Sequence, residues 1–436
     1  MKRHQRTLII LLLAVFGSLH TASQAQNRIL LIEANGVINP VKAEYIIDAV
    51  DRAHEEDFHA LIIQMDTPGG LLESTRRITK SLLSARIPVI IYVGPTGARA
   101  ASAGVFISYA AHLVAMAPAT NIGAAHPVNS MGGGGDSTQT TMMEKVTNDA
   151  VAQIKSMAEK RDRNVQWAED AIRKSVSITE TEALALNVIN FISPSIDSLL
   201  QTIDGIAVTT EDGVVTLATK DAQVERAPMS LRDTILDLLT SNPNLTYMLL
   251  MLGFYGLYFE LSNPGSIFPG TVGAISLILA FYSMQTLPVN YAGLLLIVIA
   301  LILFILEIKI VSHGLLSIGG IISMAIGSLM LFKQPEDFMS PLLEVSYTLI
   351  FAFTLITALF FIFIIGFALK ARAQKVTTGL EDLIGETGEA RTNIATAGHV
   401  LIRGELWSAN CDIPLTKGDR VQVMEVDGLT VKVKKI

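Results

Sequence analysis

The run Ala60-Leu61-Ile62-Ile63-Gln64-Met65 ends in Asp66-Thr67-Pro68-Gly69-Gly70. Six mostly apolar residues stopped by a proline and two glycines read as a buried β-strand delivered into a forced turn. Upstream, Ile29-Leu30-Leu31-Ile32 is a strand of the same kind, and residues 41–54 between them carry a helical pattern. Downstream, residues 71–83 read as a helix, Val89-Ile90-Ile91-Tyr92-Val93 as a third strand, and residues 101–111 as a third helix. Repeated strand-helix units of this length imply a parallel sheet in an α/β domain over residues 28 to about 204. Residues 209–219 alternate around Asp212-Gly213, a hairpin signal, and residues 231–239 form an amphipathic connector.

The rest of the chain has other compositions. Residues 1–25 combine Lys2, Arg3 and Arg6, an apolar run, and small residues before a cleavage point after Ala25, the three parts of a secretory leader. Between Tyr247 and Leu306 the only formal charge is Glu260. Five spans are expected, over residues 245–261, 271–287, 291–306, 314–332 and 345–369. The first two are only about 17 residues long, near the lower limit for crossing a bilayer, and residues 260–269 are candidates for a re-entrant segment. Lys370, Arg372 and Lys375 follow the last span and favour a cytoplasmic carboxyl end. Beyond residue 376, short alternating strands with glycine turns suggest a small closed β-barrel, with Trp407 as a core or rim aromatic. The domain plan is 1–25 leader, 26–240 α/β domain, 241–372 helical transmembrane domain and 376–436 barrel.

Composition narrows the function. Of 436 residues 33 are basic and 40 acidic, with no Lys/Arg block to track a nucleic-acid backbone. The single cysteine, Cys411, rules out an internal disulfide and a thiolate metal site. The chemistry that remains is nucleophilic. In Ala101-Ser102-Ala103-Gly104 a serine follows a strand and opens a helix, where backbone N–H groups lack partners and the helix dipole favours negative charge. An ordinary N-cap serine has the same pattern. The N–H groups of Gly70 and Ala103 are candidate oxyanion donors. Lys145 and His126 compete as base. A lysine serves only where apolar burial holds it neutral, and Met142, Met143 and Val146 flank Lys145. His126, in Ala124-Ala125-His126-Pro127, follows a strand and is the rival base; a Ser-His-Asp arrangement would need an acid, for which Asp149 is one candidate.

These motifs, with Asn121-Ile122-Gly123-Ala124-Ala125-His126-Pro127-Val128, the apolar spans and the Trp407-containing barrel, resemble the long-form NfeD family. Its members are membrane-bound serine proteases of the ClpP/signal-peptide-peptidase class. The resemblance covers nearly the whole chain after the leader. It implies a ClpP/crotonase-like α/β domain, an α-helical transmembrane domain and an OB-fold. It also implies a Ser102-Lys145 dyad, with Lys155 a less favoured alternative to Lys145, and oxyanion donors at Gly70 and Ala103. No cofactor is implied. The implied partners are a hydrophobic peptide substrate, a stomatin/prohibitin-type membrane protein, the membrane itself and further copies of the chain. Placement in the cytoplasmic membrane, with the protease domain outside, follows. A non-catalytic scaffold for stomatin-type oligomers is the competing reading. An acyl-CoA enzyme on the same fold is disfavoured by the leader.

Overall fold

The computed structural model describes residues 28–127, 137–263, 265–287, 289–310, 312, 314–332, 345–373 and 380–436. Residues 1–25, expected as a leader, and Gly132 to Gly135 lie outside the described residues. The chain forms two compact units divided between Ile356 and Thr357.

The first unit opens with β1 (Arg28–Asn35), α1 (Pro40–Glu55), β2 (Ala60–Asp66), α2 (Leu72–Leu83), β3 (Val89–Val93), β4 (Arg99–Ala101), α3 (Ala103–Ala110), β5 (Leu113–Met116) and β6 (Asn121–Gly123). It continues through α4 (Ser137–Lys160), α5 (Val165–Arg173), β7 (Ser177–Thr179), α6 (Glu180–Ala185), β8 (Phe191–Ile192), α7 (Ile196–Thr202), β9 (Ala207–Thr210), β10 (Gly213–Thr216) and β11 (Gln223–Arg226). Six strands build a sheet in the order β11-β1-β2-β3-β5-β8, parallel throughout. Alternate residues face opposite ways, so Leu30 and Ile32 enter one apolar core while Ile29 and Leu31 enter the other. With both faces covered, the strands read as continuous apolar runs. A second, three-stranded sheet, β4-β6-β7, carries the functional turns. This is the ClpP/crotonase-like layout.

One boundary differs from expectation. Arg99–Ala101 is a strand, and the helix begins at Ala103. The alanine-rich segment has helical propensity, but parallel pairing of Ala100 with Ile122 overrides it.

After α8 (Leu231–Ser241) come five apolar helices: α9 (Pro243–Ser262), α10 (Ile267–Met284), α11 (Tyr291–Lys309), α12 (Leu315–Met330) and α13 (Tyr347–Ala373). Among the described residues, α9, α10 and Tyr347–Ile364 are long and apolar enough to cross a bilayer. The apolar stretches Tyr291–Glu307 and Leu315–Met330 are shorter. The first two spans, expected at about 17 residues each, are helices of 20 and 18 residues. Asn242 caps α9 with Pro243 in its first turn, and α10 starts at Ile267 instead of Thr271, so each gains length at its amino end. Helices α9 and α10 pack against each other. A Cβ at Gly273 would lie 3.0 Å from Gly256 Cα, the close backbone approach typical of packed membrane helices. Helices α11 and α12 repeat the pattern: Glu260, Gly273 and Ser276 recur as Glu307, Gly320 and Ser323 at constant offset. Glu307 accepts N–H bonds from Gly314 at 3.1 Å and Ser317 at 2.9 Å, satisfying the start of α12.

In the second unit, β12 (Thr387–Ala390), β13 (Ala397–Ile402), β14 (Glu405–Asn410), β15 (Arg420–Asp427) and β16 (Thr430–Lys435) close a barrel in the order β12-β13-β14-β16-β15. β14 and β16 pair in parallel and the other neighbours antiparallel, the connectivity of an OB-fold. Trp407 is half-buried against the barrel core.

Candidate active site

Strand β2 delivers Asp66 and Thr67 to the start of the small sheet. Asp66 Oδ1 accepts the Arg99 N–H at 3.0 Å, and Thr67 pairs with Ala100 through its own N–H and carbonyl. Ser102 follows directly. Its N–H donates to Gly123 O at 3.1 Å and its carbonyl accepts from Val105 N–H at 3.0 Å. The residue is held at φ 51°, ψ −106°, a conformation an L-residue with a Cβ rarely adopts. Ser102 occupies the N-cap position of α3, yet its side chain makes no capping hydrogen bond. A serine present for capping would accept an N–H from the first turn. Here a strained backbone leaves Oγ uncommitted, and Ser102 is half-buried.

The Asp66–Gly70 turn packs onto the same helix start. A Cβ on Gly104 would come within 2.9 Å of Thr67 Cγ2, so only glycine lets α3 approach this closely. Gly70 bridges Ile38, with Ile38 N–H donating to Gly69 O and Leu71 N–H to Ile38 O. In a parallel bridge of this kind the N–H of Gly70 points away from Ile38. Among the described residues neither that N–H nor the N–H of Ala103 has an acceptor. The Ser102 hydroxyl, the adjoining Ala103 N–H and the Gly70 N–H on the neighbouring turn are the kinds of group an acyl-transfer site requires.

The bases are placed differently. Helix α4 packs against α3 and α5 through Thr147, Ala150, Val151, Ile154, Met157 and Ala158. Lys145 projects from the opposite side, exposed among Thr141, Met142, Glu144, Asn148 and Asp149, and more than two turns into the helix. Among the described residues it makes no hydrogen bond to Ser102. Lys155 is committed to Glu169 at 2.7 Å, which removes it as an alternative base. His126 Nδ1 lies 2.8 Å from Ile172 O. A carbonyl only accepts, so Nδ1 carries the proton, and the ring satisfies a carbonyl at the end of α5. Asp149, the candidate acid for His126, pairs instead with Arg76 on the exposed surface.

The organising residues Asp66, Thr67, Ile38 and Gly123 went unpredicted in these roles. Gly36-Val37-Ile38-Asn39-Pro40 carried a usable signal, a glycine followed by an N-cap asparagine ahead of proline.

Residues 28–227 match the family described as "NfeD1b, N-terminal domain", residues 244–366 "NfeD integral membrane domain", and residues 380–435 "NfeD-like C-terminal, partner-binding domain". A membrane-bound protease of Pyrococcus horikoshii is 35% identical over 98% of this chain and 97% of its own length. The membrane protein NfeD1b of Bacillus subtilis is 28% identical over 98% of this chain and 97% of its own. Among solved structures, a P. horikoshii membrane protease specific for a stomatin homologue is 32% identical, with a TM-score of 0.43, covering 49% of this chain and 98% of that one. With a full-length relative at this identity and matches to all three parts, the chain belongs to the NfeD family of membrane-bound serine proteases.

Proposed function

We propose that the chain is an endopeptidase that cuts hydrophobic segments of membrane-associated proteins, stomatin-type partners among them, in membrane protein quality control. Ser102 is the nucleophile and Lys145 the base. As Ser102 Oγ attacks the scissile carbonyl carbon, its proton passes to the neutral amine of Lys145. The oxyanion is met by the N–H groups of Gly70 and Ala103. The carbon–nitrogen bond breaks as the lysine protonates the leaving amine. Water, deprotonated by the same lysine, then attacks the acyl carbon; the bond to Ser102 Oγ breaks as the lysine returns the proton to Oγ, releasing the carboxylate product.

The observation that carries this reading is Ser102 at φ 51° on a helix start it does not cap. The exposure of Lys145 gives the mechanism a further requirement. The proposed proton transfer needs a desolvated amine, so the exposed face of α4 that carries Lys145 must be covered before the step can occur. A second copy of the chain is the proposed cover, and Met142, 64% exposed beside Lys145, offers it an apolar contact. His126 is kept as the alternative base. The protease domain is proposed to lie outside the cytoplasmic membrane, the helices to make five passes, and the barrel to face the cytoplasm and bind the stomatin-type partner. Reporter fusions after residues 204 and 436 should read outside and inside respectively; a barrel reporting outside overturns the count.

One observation favours the scaffold reading, the same exposed Lys145. Cleavage of an apolar peptide library by the full chain in detergent, with Ser102→Ala as control, separates the two. The protease reading expects turnover that Ser102→Ala removes, and comparable turnover by both chains sinks it.

A further inference from the structure

We propose that α8 lies in the membrane–water interface with its Leu231, Ile235 and Leu238 edge in lipid, clamping the α/β domain to the bilayer surface at a fixed height. Helix α8 has two committed sides. Toward the α/β domain, Asn39 Nδ2 is shared among Asp237 Oδ1 at 2.7 Å, Thr240 Oγ1 at 2.9 Å and Ser241 Oγ at 2.8 Å. Lys42 Nζ adds an ion pair to Asp237 Oδ2 at 3.1 Å and also donates to Asn35 O. Asn39 is 1% and Lys42 4% exposed, so parting α8 from the domain would strand a buried cation and a buried amide.

Toward the membrane, the last carbonyls of α8 are held by the end of α10: Ser283 Oγ donates to Leu239 O, and Thr286 Oγ1 to Thr240 O at 2.9 Å. Asn242 is at once the C-cap of α8 and the N-cap of α9. The carboxyl end of α8 is therefore fixed at the level where α9 begins and α10 finishes, which is the edge of the hydrocarbon layer. Leu231, Ile235 and Leu238 recur at i, i+4 and i+7 on a third edge, 79%, 51% and 54% exposed. Continuity with two membrane-crossing helices makes lipid the occupant. A short amphipathic helix in that position buries its apolar edge in the headgroup–acyl boundary.

The test uses the full chain in nanodiscs, with Cys411→Ser as background and a nitroxide at Leu231→Cys, Ile235→Cys or Leu238→Cys. Val214→Cys, exposed on the β9–β10 hairpin, is the aqueous control. The expected result is greater relaxation by oxygen than by a water-soluble nickel chelate at the three helix positions, and the reverse at 214. Nickel accessibility matching the control overturns the proposal. So does protection from both agents with dipolar broadening between labels, which would mark a contact between copies. The consequence for cleavage rests on the protease reading. With Leu231→Glu and Leu238→Glu combined, turnover of a membrane-anchored substrate should fall several-fold while that of a soluble peptide holds. Equal loss on both substrates overturns the fixed-height role. A chain with no protease activity leaves the relaxation measurement to decide the placement.

Discussion

Around Ser102, strand pairing, the Asp66 carboxylate and Gly123 hold the backbone in one strained conformation, and the N–H groups of Gly70 and Ala103 have no acceptor among the described residues. Around Lys145, the outer side of α4 faces solvent with no partner holding the amine to Ser102 among the described residues. In the proposed mechanism the nucleophile and its oxyanion donors come from one such preorganised region, which is where electrostatic preorganisation contributes most. In that mechanism the base comes instead from a surface that must be covered before it acts, so assembly or substrate would complete the site.

The largest expected effect tests the weaker side. Lys145→Ala should lower kcat by about 10²–10⁴-fold, the span for losing a positioned general base. Lys145→Arg should be as inactive, because a guanidinium stays protonated at any working pH. His126→Ala should stay within about tenfold of the parent, since the ring's visible role is one hydrogen bond of about 1 kcal/mol to Ile172 O. Single-turnover cleavage of one peptide by the three variants decides it. A dead His126→Ala beside an active Lys145→Ala breaks the assignment and moves the base into the preorganised side.

Gly70→Ala probes that preorganised side directly. A Cβ there would sit 2.2 Å from Ile38 O and 2.6 Å from Ile38 N, neither of which can yield without moving β1's exit. The turn must shift and take its N–H with it, so kcat should drop about 10²-fold with KM little changed. A parent-like kcat with a folded chain would show that Gly70 is not an oxyanion donor.

The two sides also differed in how far the residues announced them. The parallel strands were legible because a sheet covered on both faces leaves uninterrupted apolar runs, as in Val89–Val93. The serine turn was legible from its glycines. Strand β4 was not, because its three residues owe their conformation to β6, about twenty positions later, and not to their own preference. The exposure of Lys145 was present in the pattern. Ala150, Val151, Ile154, Met157 and Ala158 set the buried stripe of α4, and Lys145 falls opposite it; the adjacent methionines drew attention to local apolarity instead of phase. Barrel closure followed from alternating strands and glycine turns, while the lengths of α9 and α10 depended on caps outside the apolar runs.

Acid should loosen the nucleophile's scaffold selectively. His112, just past α3, is buried, and its Nδ1 accepts the Val89 N–H at 3.1 Å, which requires the neutral ring. Burial first, then nearby Arg161, Arg163 and Lys160, pull its pKa down to about 3. The unfolded chain takes up this proton near about 6.5 and the folded chain does not, so the stabilisation is complete above about 6.5 and is lost as pH falls toward 3. At pH 5 the loss is about 2 kcal/mol. In a Trp407→Phe background, Trp167, stacked on Tyr109, reports this domain alone. Urea unfolding at pH 7 and pH 5 should differ by that amount, and His112→Gln should flatten the difference. An unchanged pH dependence in the variant would assign the acid sensitivity to other groups.

The smallest effect concerns the strain at Ser102 itself. Both Ser102→Ala and Ser102→Gly remove the hydroxyl and should be equally inactive. They differ only in the Cβ, and at φ 51°, ψ −106° the Cβ is the source of the backbone strain. If pairing with Gly123 and Val105 imposes that conformation, glycine relieves it in the folded state, against the greater backbone entropy glycine gains on unfolding. Relief of strain is worth about 1–3 kcal/mol and the entropic penalty about 0.5–1 kcal/mol, so Ser102→Gly should be more stable than Ser102→Ala by about 1 kcal/mol. Thermal unfolding of the two inactive chains, followed at Trp167 in the Trp407→Phe background, measures it. An alanine variant equal to or more stable than the glycine variant would mean the turn relaxes once the hydroxyl is gone, and that the conformation at residue 102 belongs to the serine and not to the sheet beneath it.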